Sequence, residues 1–128
     1  MASVLVVDDD PVIRELLAVN LELEGYDVRT AGDGAAALAA LAREPVDLVL
    51  LDVMMPEVSG WEVAARLAAD EATAAIPVIM LTAKAMETDV RRGGELGVAR
   101  YVTKPFDPTD LMATCAAVLA EEPTEEDR

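Results

Sequence analysis

The runs Val4-Leu5-Val6-Val7 and Leu48-Val49-Leu50-Leu51 contain no polar side chain and are too short for helices. An unbroken apolar run of that length reads as a strand covered on both faces, as strands in a parallel sheet are. Each run stops at carboxylates, the first at Asp8-Asp9-Asp10 and the second at Asp52. In open parallel sheets the carboxyl ends of the strands are where ligands and chemistry collect. Asp52, at the end of the most apolar stretch, is therefore the residue around which the chain is organised.

The segments between these runs have helical spacing. Asp10 caps a first helix with Pro11 at its first position. Ile13, Leu16, Leu17, Asn20 and Leu21 share one face of it, and Gly25 ends it. Tyr26 to Ala31 reads as a shorter, more polar strand. Gly32-Asp33-Gly34 turns into an alanine-rich helix with Leu38 and Leu41 that closes before Pro45. After Asp52 comes a loop with Pro56 and Gly60, where Ser59 and Glu62 form the Ser-x-x-Glu start of a helix reaching about Ala69. Ile76 to Leu81 reads as a fourth strand, Met86 to Leu96 as a fourth helix, and Ala99 to Thr103 as a fifth strand. Asp107 and Pro108 open a last helix through about Leu119. Gly93-Gly94 lies inside the fourth helix at roughly 1 kcal/mol per glycine relative to alanine, so this helix is expected to be the least stable and the most mobile.

Five strands alternating with five helices imply right-handed crossovers and a parallel sheet covered on both faces. Alternation alone leaves both common doubly wound strand orders open. Residues 1–120 are expected to form one domain. Residues 121–128 are acidic, lack an apolar anchor and are expected to be a disordered tail.

With 128 residues, 53% of them apolar, the chain can build a core without metal or disulfide. No apolar run is long enough to span a membrane. Met1-Ala2-Ser3 leads straight into a strand without the basic start of a signal peptide. The single cysteine, Cys115, excludes an internal disulfide framework and suits a reducing compartment, so a cytoplasmic location is expected. With no histidine to activate it, Cys115 reads as core filling. A net charge of −15 opposes direct nucleic-acid binding and permits cations and basic partners.

Read along the carboxyl edge of the sheet, the strand ends give Asp8 and Asp9, then Asp52, Thr82 and Lys104. Carboxylates ~5 Å apart at an effective dielectric of ~20 repel by about 3 kcal/mol per pair, so such a cluster calls for a cation. Hard oxygen ligands with an open, watery position suit Mg²⁺. Metal, ammonium and hydroxyl together can neutralise a phosphoryl group in flight, and a carboxylate can itself carry an aspartyl phosphate. Taken singly, each residue has a plain structural role as a cap, an Asx-turn or a solvated charge. Their joint occurrence at four of the five strand ends points to chemistry.

From about Ser3 to Leu119 the chain resembles the receiver domain of two-component response regulators, in the single-domain form of chemotaxis regulators. Four segments carry the resemblance: Val4-Leu5-Val6-Val7-Asp8-Asp9-Asp10; Leu50-Leu51-Asp52-Val53-Met54-Met55-Pro56 with Gly60; Leu81-Thr82-Ala83; and Tyr101-Val102-Thr103-Lys104-Pro105-Phe106. The resemblance implies a flavodoxin-like sheet of order 2-1-3-4-5. It implies that Asp52 is the phosphoacceptor, and that Mg²⁺, or Mn²⁺ in its place, is held by Asp8, Asp9, Asp52 and the Met54 backbone carbonyl. Lys104 would pair with the phosphoryl oxygens after a cis bond to Pro105. Thr82 and Tyr101 would be the switch residues.

The implied donor is the phosphohistidine of a histidine kinase or histidine phosphotransfer protein. The implied output is control of a downstream protein or output domain through the face of the fourth helix, fifth strand and fifth helix, with a phosphorylation-dependent homodimer left open. No direct nucleic-acid or membrane contact is implied. The domain would be no enzyme beyond catalysing its own phosphorylation and dephosphorylation.

Three other readings compete. Asp8-Asp9-Asp10-Pro11-Val12 formally fits the nucleophile motif of haloacid-dehalogenase-type phosphatases, with Asp8 as nucleophile and Asp10 as acid–base. However, no acidic pair ends a strand after Lys104, no cap domain fits in the length, and Asp52 is left without a role. A receiver-like interaction module acting without phosphorylation would need none of the five site residues. A flavodoxin-like cofactor binder would need a phosphate loop where three aspartates stand.

Overall fold

The computed structural model describes residues 2–82 and 98–120. The predicted fourth helix with its Gly93-Gly94 pair, and the 121–128 tail, lie outside the described residues. In chain order the elements are β1 (Ser3–Val7), α1 (Pro11–Leu23), β2 (Asp27–Ala31), α2 (Gly34–Arg43), β3 (Leu48–Asp52), α3 (Gly60–Ala69), β4 (Val78–Thr82), β5 (Arg100–Thr103) and α4 (Pro108–Ala120). The last of these is the fifth helix of the sequence reading. All five strands pair in parallel in the order β2-β1-β3-β4-β5, the doubly wound, flavodoxin-like order implied by the family resemblance.

The two apolar runs are buried throughout, as the innermost strands of such a sheet must be. Alternate side chains leave opposite faces. Val4, Val6, Leu48, Leu50, Ile79 and Leu81 meet Leu17 and Leu21 of α1 and Leu111, Cys115 and Val118 of α4. Leu5, Val7, Val49, Leu51, Val78 and Met80 meet Ala37 and Leu41 of α2 and Trp61, Val63 and Leu67 of α3. Cys115 is fully buried, and burial pushes its thiol up to about 11, so it is an inert filler at neutral pH. Among the described residues no helix is long and apolar enough to cross a membrane.

Helix starts follow their caps. The Asp10 carboxylate accepts from the Val12 N–H at 2.9 Å ahead of Pro11, and the Ser59 hydroxyl accepts from the Glu62 N–H at 3.3 Å. Asp107 accepts from the Thr109 N–H at 2.8 Å. Asp10→Ala is expected to cost about 1 kcal/mol, the usual worth of an N-cap, read as a lower urea midpoint at unchanged slope.

Two expectations are corrected. Leu16 does not belong to the buried face of α1: it is 42% exposed and aligns with exposed Val12, Val19 and Leu23 on the outer arc. The core arc is centred on Leu17, Ala18 and Leu21, which places Leu16 more than a quarter-turn outside it. The fourth strand begins at Val78 rather than Ile76. The Ile76 N–H is engaged by the Thr73 carbonyl at 3.0 Å, and Pro77 has no N–H to give the ladder.

Candidate functional site

The sheet register brings the strand ends level. Val7 pairs with Leu51 and Asp52 with Leu81, so Asp8 and Asp52 reach the carboxyl edge side by side. Thr82 closes β4 opposite Thr103 and is 7% exposed. The Lys104 N–H donates to the Thr82 carbonyl at 2.7 Å, which sets Lys104 beside the same edge, and the Lys104–Pro105 bond is cis.

Side chains from both ends of the chain meet there. The Lys104 ammonium donates to Asp52 Oδ1 at 3.1 Å and to Asp8 Oδ2 at 3.2 Å. Asp8 is fully buried, with its other carboxylate oxygen accepting from the Asp10 N–H at 2.9 Å. Asp9 is exposed, yet one carboxylate oxygen from each of Asp8, Asp9 and Asp52 lies within 4.8 Å of the others. These donors fit Mg²⁺: all are hard carboxylate oxygens, two enclosed and one open to water. Met54 lies in the β3–α3 loop with its side chain exposed. Glu57 in the same loop has φ 64°, a left-handed conformation unusual for a residue with a Cβ and a mark of local strain beside the site.

Burial pushes the Asp52 carboxyl above its ordinary value. The Lys104 hydrogen bond and charge pull it down without cancelling the burial, and repulsion from Asp8 and Asp9 adds to the rise. Burial pulls the Lys104 ammonium down, and the hydrogen bonds and charges of Asp52 and Asp8 outweigh it, leaving Lys104 raised. The two shifts act at different pH. A carboxyl raised on folding binds its proton more tightly in the native state. Its ionisation therefore lowers stability as pH climbs from about 4 through the folded value. Lys104 contributes stability below its unfolded value that is lost only as strongly alkaline pH passes the folded one. In urea melts the stability difference between Asp52→Asn and wild type is expected to grow in favour of the variant from pH 4 to pH 7. A difference independent of pH would contradict the raised Asp52.

Tyr101 is partly buried on the α2–α3 side of the sheet, its ring 6.2 Å from that of Trp61 and tilted by 45°. Arg14 and Gly32 carried no warning of a place at the site in the sequence, and Gly60 was read there only as part of the loop and of the family resemblance. Arg14 donates from Nη1 to the Asp8 carbonyl at 2.9 Å, in the space left by Gly32, whose added Cβ would stand 3.1 Å from that nitrogen. Gly60 packs on the Asp52 backbone. Gly32 lies in the β2–α2 loop and Gly60 is the first residue of α3.

The family model of the response regulator receiver domain matches residues 4–116. The chain is 47% identical over 117 residues to the phosphate regulon transcriptional regulatory protein PhoB of Pseudomonas aeruginosa, covering 91% of this chain and 51% of that protein. It is 44% identical over 119 residues to the DNA-binding dual master transcriptional regulator RpaA of Synechocystis, covering 93% and 49%. It thus spans about half the length of the curated relatives it matches. Among solved structures, the chemotaxis protein CheY4 of Vibrio cholerae superposes with a TM-score of 0.88 at 34% identity, covering 92% of this chain and 98% of that one. With the matched segments, the sheet order and the strand-end cluster all in agreement, the chain belongs to the response regulator receiver domain family.

Proposed function

We propose that this domain is a phosphoaccepting switch in which Asp52 takes a phosphoryl group from the phosphohistidine of a histidine kinase or phosphotransfer protein. One observation carries the reading: a buried carboxylate at the end of β3 lies 3.1 Å from the Lys104 ammonium and within 4.8 Å of two further carboxylates. An Asp52 oxygen attacks phosphorus, the bond from phosphorus to the donor imidazole breaks, and the freed imidazole takes a proton from solvent. Asp8, Asp9, Asp52 and the Met54 carbonyl are the groups that would hold Mg²⁺, or Mn²⁺ in its place. When bound there, the metal would supply positive charge against the carboxylates and the phosphoryl group.

Lys104 redirects a hydrogen bond from Asp52 to a phosphoryl oxygen, and the Thr82 hydroxyl donates to another. Tyr101 follows Thr82 and alters the surface around β5 and α4. Water later attacks the acyl phosphate, releasing inorganic phosphate and restoring the Asp52 carboxylate, so the domain catalyses only its own phosphorylation and dephosphorylation. Control passes to a downstream protein or output domain, with or without a phosphorylation-dependent homodimer. Direct DNA contact by this domain is opposed by the −15 charge. A cytoplasmic setting, with reducing conditions for Cys115, fits the same reading.

The test is phosphorylation by acetyl phosphate with Mg²⁺ or with chelator, followed by reductive trapping of the acyl phosphate and mapping of the modified residue. A base-labile label that needs Mg²⁺ and maps to residue 52 is expected. A label on Asp8 with steady phosphate release would favour the phosphatase, and no label at all would favour the interaction module.

A further inference from the structure

The phosphoacceptor is mechanically tied to α3. A Cβ added to Gly60 would stand 2.3 Å from the Asp52 carbonyl oxygen and 2.8 Å from Val53 Cα. The Gly60 N–H donates to the Val53 carbonyl at 3.0 Å. There is no slack between the end of β3 and the start of α3. A displacement of the Asp52 backbone must therefore be taken up by the first turn of that helix. The next residue, Trp61, is 8% exposed and belongs to the core layer between the sheet and α2–α3. Its ring lies 6.2 Å from the Tyr101 ring at 45°, within the contact range of a tilted aromatic pair. Packed groups thus run without interruption from Asp52 through Gly60 and Trp61 to Tyr101 on β5.

We infer that Trp61 is a positioning residue: it forms a second route, carried by α3, through which a change at Asp52 sets the orientation of the Tyr101 ring. The inference deepens the switch reading above and rests on it. Two large flat rings in contact at the edge of a packed layer cannot reorient independently, so Tyr101 takes up a new position only if Trp61 yields. A β-strand end and a helix start in backbone contact give that response an origin at the acceptor itself. The coupling is read as an energetic link between the two rings.

Trp61 is the only tryptophan, so its emission reports this site alone, and Tyr101 is one of only two tyrosines. The experiment follows tryptophan emission and the ring resonances of labelled tyrosine in the full chain during phosphorylation by acetyl phosphate with Mg²⁺, with the phosphorylated fraction quantified in parallel. Emission is expected to change in step with that fraction. The ratio followed is that of the Tyr101 ring position reached on phosphorylation to the position described here, and in phosphorylated Trp61→Leu it is expected to fall roughly threefold to tenfold from the wild-type value. Trp61→Phe, which keeps a ring and repacks more easily, is expected to restore most of the ratio. If the leucine variant does not fold, the emission experiment and the phenylalanine variant carry the test. Phosphorylated wild type with unchanged emission, or a wild-type Tyr101 ratio in Trp61→Leu, overturns the α3 route and leaves the switch reading intact. Absence of label in the wild type overturns both.

Discussion

Asp52→Asn is expected to fold at least as well as the wild type at neutral pH and to take up no phosphoryl group from acetyl phosphate. The loss of label follows from removing the nucleophile, because an amide oxygen does not form the acyl phosphate. The retained stability follows from the site's electrostatics. Burial and two neighbouring carboxylates disfavour a charge at Asp52, and the asparagine has a similar shape without that charge. Asp8 remains 3.2 Å from the Lys104 ammonium, so the lysine keeps a partner. Function and stability would thus pull in opposite directions at one position, a common feature of active sites. The check is a phosphorylation time course beside a urea melt at pH 7. Label at the wild-type level would move the acceptor to another carboxylate, and a large drop in the melt would mean that the Asp52–Lys104 pair outweighs repulsion within the cluster.

Gly60→Ala is expected to destabilise the domain by about 3 kcal/mol, the upper end of the usual cost of overpacking a close-packed position. The atoms facing the new methyl group are the Asp52 carbonyl oxygen at 2.3 Å and Val53 Cα at 2.8 Å. They are main-chain atoms of a central strand and cannot rotate aside as a flexible side chain would. The variant's thermal midpoint is expected about 10 °C below that of the wild type. Because the displaced atoms belong to the acceptor residue, phosphorylation by acetyl phosphate should slow as well, even at temperatures where the variant is fully folded. An unchanged midpoint would show that α3 can slide off the end of β3 at no cost.

The sheet and its carboxyl edge were legible because they depend on short-range patterns. Unbroken apolar runs mark β1 and β3, and the residue that ends each run marks the edge. Capping residues located three helix starts within a residue. The errors arose where a tertiary contact decided between two locally acceptable outcomes. Leu16 and Leu17 are equally apolar, and only the angular position of α1 on the sheet sends one to the core and the other to solvent. Ile76 has strong strand propensity, but a turn closed by Thr73 holds it before the strand begins. At the site, the chemistry-bearing side chains could be read off the strand ends. The groups that support them could not. Arg14 looks like any polar helix residue until β2 and the Gly32 turn are placed beside it. Trp61 looks like any core aromatic until β5 brings Tyr101 against it.

Asp8 and the lysine that holds it are separated by 96 positions, and Asp52 and the same lysine by 52. While the protein is being synthesised, the carboxylates therefore leave the ribosome long before the ammonium that binds them, and β5 is the last of the five described strands in chain order. Until that strand docks, the carboxylates of Asp8 and Asp52 lack the ammonium that joins them. Competence to accept a signal would then arrive in one step, when β5 docks, so that a copy cut short before β5 would be silent rather than wrongly active.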